Sequence, residues 1–213
     1  MKVITLFDLD GVLVDTVDFE REVTKDIVKT ISVTLDTTIE EATAKWNETL
    51  ASNSQDPRWH DYSLHCAALG MSGAWQASHL AMQHLIRPMP KASESIEVGH
   101  KVGECWLASD ATSWVVDFKL SVAGIDARHF EEVFTLDRCG VNKGSEAYWK
   151  CLIDRIGDCK PPIIFIDNRL DRLVAAMKAL PNCELILVDS EDHPSSLRMF
   201  TQPSRRRVRL HQS

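Results

Sequence analysis

Short apolar runs rich in β-branched residues recur along the chain: KVITLF (2–7), ECWLAS (104–109), VFTL (133–136), PIIFID (162–167) and ELILV (184–188). Runs of this length without polar alternation suit strands buried on both faces. Helical patterns separate the last four. Residues 112–123 follow the candidate caps Asp110 and Thr112 and stop at Gly124; residues 144–156 stop at Gly157, and 169–180 stop before Pro181. Strands alternating with helices of this length predict an α/β fold, a Rossmann-like parallel sheet with helices on both faces.

Residues 16–95 break that rhythm. Helices are expected near 17–32, 37–51, 60–69 and 73–86, with no convincing strand between them. Thr37 and Thr38 ahead of Glu40 and Glu41 predict a capped start, and Ser72 another. NSQDPRWH (53–60) reads as a loop. The expected organisation is therefore an α/β core from residues 1–15 and 96–213, with an all-helical cap, 16–95, inserted after the first strand. The tail TQPSRRRVRLHQS is basic and lacks helical periodicity. It reads as a solvated terminus, with an edge strand or a patch for a phosphorylated polymer as alternatives.

A length of 213 residues allows one core domain and a modest insertion. The net charge of -7 argues against a nucleic-acid partner, which needs a basic surface. No apolar run approaches the ~18 residues of a membrane span, and the opening does not read as a signal peptide. The six cysteines (Cys66, Cys105, Cys139, Cys151, Cys159 and Cys183) include no CxxC pair and predict reduced thiols in a cytoplasmic protein. His60/His65 and His79/His84 are five apart, the wrong spacing to share a helix face, so no histidine is read as a metal ligand.

The chemistry begins in FDLDGVLVDT (7–16). Asp8 and Asp10 sit at the carboxyl end of a buried strand, where open parallel sheets bind ligands. Residues i and i+2 of a strand share a face, so the two carboxylates repel unless one is protonated or a cation intervenes. A hard dication such as Mg²⁺ resolves the conflict, and Gly11 permits a tight turn. Solvated acids or an Asx turn are the ordinary alternative. A helix–loop–helix calcium loop is not matched, because Gly11 and Phe19 fall at the wrong positions.

PIIFIDNRLD (162–171) is a second buried strand ending in acid, with Asp167 at its end and Asp171 in the first turn of the next helix. Helix capping explains part of that pattern, but not why two strands deliver carboxylates to one sheet edge. Ser109 ends the CWLAS strand, where a hydroxyl suits a phosphoryl oxygen or an ordinary turn. Lys143, in GVNKGSEAYW, is either surface or the cation that such a cluster of carboxylates requires.

These four elements, in this order, resemble the haloacid dehalogenase superfamily of phosphohydrolases, over roughly residues 1–15 and 96–190. Within it the likeness is to phosphoglycolate phosphatase-like members with a C1-type helical cap. The resemblance implies that Asp8 attacks phosphorus and forms an aspartyl-phosphate, and that Asp10 is general acid, then base. It implies that Ser109 binds the phosphoryl group and Lys143 orients Asp8. Mg²⁺ would be held by Asp8, the backbone carbonyl of Asp10 and Asp167, with Asp171 in support directly or through water. Asn168 stands where many relatives carry a second acid, and Gly144 where proline is common.

The implied activity is Mg-dependent hydrolysis of a small phosphorylated metabolite; sugar phosphates, nucleotides and phosphoglycolate-like acids all fit. A sugar-phosphate mutase would use the same site, and a non-catalytic binding protein could keep the fold. The family's dehalogenases lack an acid at the position of Asp10, which tells against carbon–halogen cleavage. Trp46, Trp59 and Trp75 are expected to pack the cap or to line a closed pocket over the phosphate.

Overall fold

The computed structural model describes residues 3–157, 161–180 and 183–187. Cys159 and the basic tail lie outside the described residues. Strands β1 (Val3–Phe7), β4 (Gly103–Ala108), β5 (Glu132–Phe134), β6 (Ile163–Asp167) and β7 (Cys183–Leu187) form one sheet in the order β5-β4-β1-β6-β7. Every pairing in it is parallel. The first strand in the sequence sits in the middle, and later strands are added on one side of it and then on the other. That reversal opens a crevice at the carboxyl ends of β1 and β6, where doubly wound sheets take their ligands.

Alternation along β1 divides the core. Ile4 and Leu6 join Trp106, Ala108, Ile163 and Phe165 on one face, while Phe7 joins Cys105, Leu107, Ile164 and Ile166 on the other. Side chains of period two facing apolar layers on both sides are what the unbroken apolar runs require.

Between β1 and β4 run α1 (Val17–Leu35), α2 (Ile39–Ser52), α3 (Tyr62–Ala68), α4 (Ala74–Met82) and α5 (Ala92–Val102). In α1, Phe19, Val23, Ile27 and Ile31 recur every fourth residue and are fully buried. Burial of such side chains contributes about 1.5–3 kcal/mol each. The start of α2 carries a reciprocal cap: Thr38 accepts from the Glu41 N–H while the Glu41 carboxylate accepts from the Thr38 N–H.

Several details differ from the sequence expectation. The start of α4 is Gly73 at φ 90°, with no side-chain cap from Ser72. Helix α5 was not expected, because its buried face is Ala92, Ser95, Ile96 and Gly99, too small and polar to give a hydrophobic period. Strands β2 (Val14–Asp15) and β3 (Arg87–Pro88) pair antiparallel across the two chain crossings of the helical segment. Two residues cannot show alternation, so only the tertiary contact reveals that ribbon. The remaining helices are α6 (Ser113–Val122), α7 (Leu136–Cys139), α8 (Glu146–Ile156) and α9 (Leu170–Ala179).

The helical segment is seated on α6 by aromatic edges. Trp75 of α4 meets Trp114 edge-on at 4.9 Å between ring centroids, and His79 lies among Phe19, Tyr62, Trp75 and Phe118. Cys66, Cys105, Cys139, Cys151 and Cys183 are free thiols. Among the described residues no helix is long and apolar enough to cross a membrane.

Candidate active site

Because β1 lies between β4 and β6, Asp8, Ser109 and Asp167 emerge at one edge of the sheet. The Asp8 N–H donates to the Ile166 carbonyl at 2.9 Å, carrying the β1–β6 ladder up to the site. Lys143, just before α8, places its Nζ 2.6 Å from Asp8 Oδ1 and 2.8 Å from Asp167 Oδ2. All three side chains are buried, at 2% exposure for Lys143, 8% for Asp8 and none for Asp167. The lysine is itself held: its N–H donates to Asp110 Oδ1 at 2.6 Å, and its carbonyl accepts from the Trp149 indole at 2.8 Å.

Two carboxylates share one ammonium, so the cluster carries a surplus negative charge out of water. Burial pushes the Asp8 carboxyl up to about 8; Asp167 and Asp10 add to the rise and Lys143 opposes it. Burial works against the Lys143 ammonium, but the facing carboxylates outweigh it and shift it upward. An oxygen-only donor set with excess negative charge fits a hard dication.

Asp10 is held elsewhere. Gly11 takes φ 76°, and a Cβ there would run into the Asn168 side-chain amide, so the turn after β1 demands glycine. Beyond that turn Asp10 Oδ1 accepts from Thr16 Oγ1 at 3.0 Å and from Lys119 Nζ at 2.8 Å. Lys119 is 2% exposed and also meets Glu20 Oε1 of α1 at 2.6 Å. The sequence reading missed Lys119 and Glu20. A lysine at a core position of α6, with Val115, Val116 and Leu120 buried around it, was the signal available; its partners, about a hundred residues away, were not.

Ser109 is buried and its Oγ accepts from the Ala111 N–H at 3.1 Å. Asp171 stands apart. Its side chain is 59% exposed and pairs with Arg169 at 2.9 Å. Among the described residues no three His, Cys, Asp or Glu side chains converge in a metal-holding cluster. The four carboxylates named from the sequence thus form no compact set: Asp8 and Asp167 meet on Lys143, Asp10 is on Lys119, and Asp171 faces solvent.

A cavity of about 440 Å³ adjoins Asp10; it is partly open to solvent and lined by residues of α1, α2, α3, α6 and the loop before α3. Its size is that of a small-molecule site. Trp59 and Tyr62 line it half-buried, while Trp46 is buried and stacks on Tyr62 at 12°. The loop is tied to the core where Asn142 donates to the Pro57 carbonyl and Arg172 bridges His60 and Asp110. A second depression of about 420 Å³, beside Glu146 and Lys178, contains none of the clustered carboxylates.

No family model matches the chain, and no curated protein matches it. Solved structures do. A HAD phosphatase from Thermococcus onnurineus superposes with a TM-score of 0.75 at 16% identity, over 89% of this chain and 86% of that one. A 2-haloacid dehalogenase from Pseudomonas syringae pv. Tomato DC3000 gives 0.67 at 14% identity, over 94% of this chain and 100% of the other. The fold is that of the haloacid dehalogenase superfamily. The HAD-hydrolase YfnB from Bacillus subtilis, in a form bound to magnesium, gives 0.56 at 12% identity, covering 88% of each chain. Within that fold, the carboxyl ends of β1, β4 and β6 carry Asp8, Ser109 and Asp167 to one side of the sheet.

Proposed function

We propose that this chain is a Mg²⁺-dependent phosphatase that hydrolyses a small phosphomonoester through an aspartyl-phosphate on Asp8. The observation that carries the reading is that Asp8 and Asp167, from the paired strands β1 and β6, share the buried Nζ of Lys143. Residues 16–95 act as the cap in this reading, and 1–15 with 96–213 as the core.

Asp8 and Asp167, with the Asp10 backbone carbonyl, would hold the metal. When bound, Mg²⁺ supplies the positive charge that keeps Asp8 ionised and offsets charge on the phosphoryl oxygens. Asp8 attacks phosphorus; the P–O bond to the leaving alcohol breaks, and Asp10 gives that oxygen a proton. Water, deprotonated by Asp10, then attacks the aspartyl-phosphate and releases phosphate and free Asp8. Lys143 fixes the Asp8 carboxylate for in-line approach. The Ser109 oxygen already accepts from Ala111, which leaves its proton to donate to a phosphoryl oxygen. An acid at position 10 serves a leaving alkoxide, and halide departure has no use for one. A small substrate suits a cavity of about 440 Å³.

Hydrolysis of p-nitrophenyl phosphate with Mg²⁺, its loss with chelator, and its loss in Asp8→Asn are the expected results. Chelator-resistant turnover, or full activity of Asp8→Asn, overturns the reading.

A further inference from the structure

We propose that the cavity beside Asp10 receives the leaving alcohol, and that this alcohol is uncharged and carries an aromatic ring; the proposal rests on the phosphatase reading above. Asp10, the proposed proton donor to the leaving oxygen, lines this cavity, whereas Asp8 does not. The cavity therefore lies on the leaving-group side of the phosphorus.

Its charge rejects anions. Asp10, Glu20 and Asp110 line it; among the described residues Lys119 is its one lining lysine or arginine, and Arg172 behind the wall is taken up by Asp110 at 2.9 Å. That ammonium is taken up by Asp10 at 2.8 Å and Glu20 at 2.6 Å. The other Glu20 oxygen accepts from the Tyr62 hydroxyl at 2.6 Å. The lining imidazoles are already engaged. His65 is held by the Asn53 amide at Nδ1 and by the Trp59 carbonyl at Nε2. His60 accepts from the Arg172 guanidinium at Nε2, and burial holds its pKa below the usual value. A carboxylate or second phosphate on the leaving group would meet carboxylates, with no unengaged cation among the described lining residues. Leaving groups of the phosphoglycolate kind are disfavoured on that ground.

Its surface favours a ring. The Trp59 indole N–H is already given to the Leu50 carbonyl at 3.1 Å, so what Trp59 offers a ligand is its ring surface. Tyr62, backed by the stacked Trp46, offers another, and Leu50 and Val115 complete an apolar wall. Stacking of a flat ring on such side chains is worth roughly 1–3 kcal/mol, or about 5–150-fold in affinity.

The test is tryptophan-fluorescence titration of Asp8→Asn protein with phenyl phosphate, a nucleoside 5′-monophosphate, 2-phosphoglycolate and inorganic phosphate, alongside steady-state turnover by the wild type. Both ring esters should bind about 10-fold tighter than inorganic phosphate, and 2-phosphoglycolate no tighter than it. A preference for only one ring ester would say whether the ring is aryl or nucleobase. Trp59→Ala should remove the ring advantage and leave phosphate affinity unchanged, whereas Glu20→Gln, freeing one bond of Lys119, should strengthen 2-phosphoglycolate. The ranking of ligands on one protein decides the matter even where a variant fails to fold. Equal or tighter binding of 2-phosphoglycolate, or no measurable binding of any ring ester, overturns the proposal. Ring-selective binding without turnover of any ester overturns the phosphatase reading and leaves this pocket standing; rapid turnover of 2-phosphoglycolate over ring esters does the reverse.

Discussion

Replacing Lys143 by methionine keeps the length of the side chain and removes its charge, leaving Asp8 and Asp167 facing each other in a dry site. At 2.6 and 2.8 Å each ion pair is worth about 6 kcal/mol of gross attraction at an effective dielectric near 20. Most of that is offset by the cost of taking the charges out of water. The net loss on removing one partner of a buried pair is about 3–5 kcal/mol, because a charge stays behind unmatched. For a chain of 213 residues that lowers Tm by roughly 10 °C. Chemical denaturation of metal-free Lys143→Met and wild type at several pH values is the assay, with the exposed Lys150→Met as control. The penalty should grow as pH rises through about 8, where Asp8 ionises, and shrink as acid protonates Asp8. Hydrolysis should be lost at every pH. A variant as stable as wild type at pH 8, or a penalty that ignores pH, would refute the claim that these charges are buried together.

Three further outcomes follow from the geometry. Gly11→Ala puts a left-handed Ala against Asn168 and should cost about 1–3 kcal/mol while depressing activity through Asp10; an unperturbed Tm would show that the turn can relax. Thr38→Ala removes one half of the reciprocal cap of α2 and should cost about 1 kcal/mol in urea denaturation without changing turnover. Burial lowers the His79 pKa despite its bond to the Trp75 carbonyl and the nearby Glu20 and Asp10, with Lys119 opposing protonation. The unfolded chain then binds a proton that the folded one refuses, so His79 makes stability fall as pH drops from about 6.5 to its folded value. His79→Leu should flatten that part of the pH–stability curve, and an unchanged slope would remove His79 as its source.

The sequence legibly gave what local pattern and residue type control. Unbroken apolar runs meant a sheet covered on both faces, and β1, β4, β5, β6 and β7 form it in parallel. Residues every fourth position placed α1, and Thr38 with Glu41 placed the start of α2. Asp8 and Asp167 could be named because a carboxylate after a buried strand is costly without a partner, and Lys143 because that partner must be a cation.

Tertiary structure decided whatever depends on residues distant in the chain. Strand order set β1 between β4 and β6 and so brought Asp8 beside Asp167; no local signal fixes which strands become neighbours. Lys119 had to be seen with Asp10 and Glu20 before its buried charge made sense, since a lysine in a helix is ordinarily solvated. Asp171 shares the sequence neighbourhood of Asp167, yet the first turn of α9 points it to solvent and Arg169. Residue type and period fix what a side chain needs from its surroundings; only the folded chain fixes which partner meets that need, because the meeting is made across the sheet and the cap and not along the backbone.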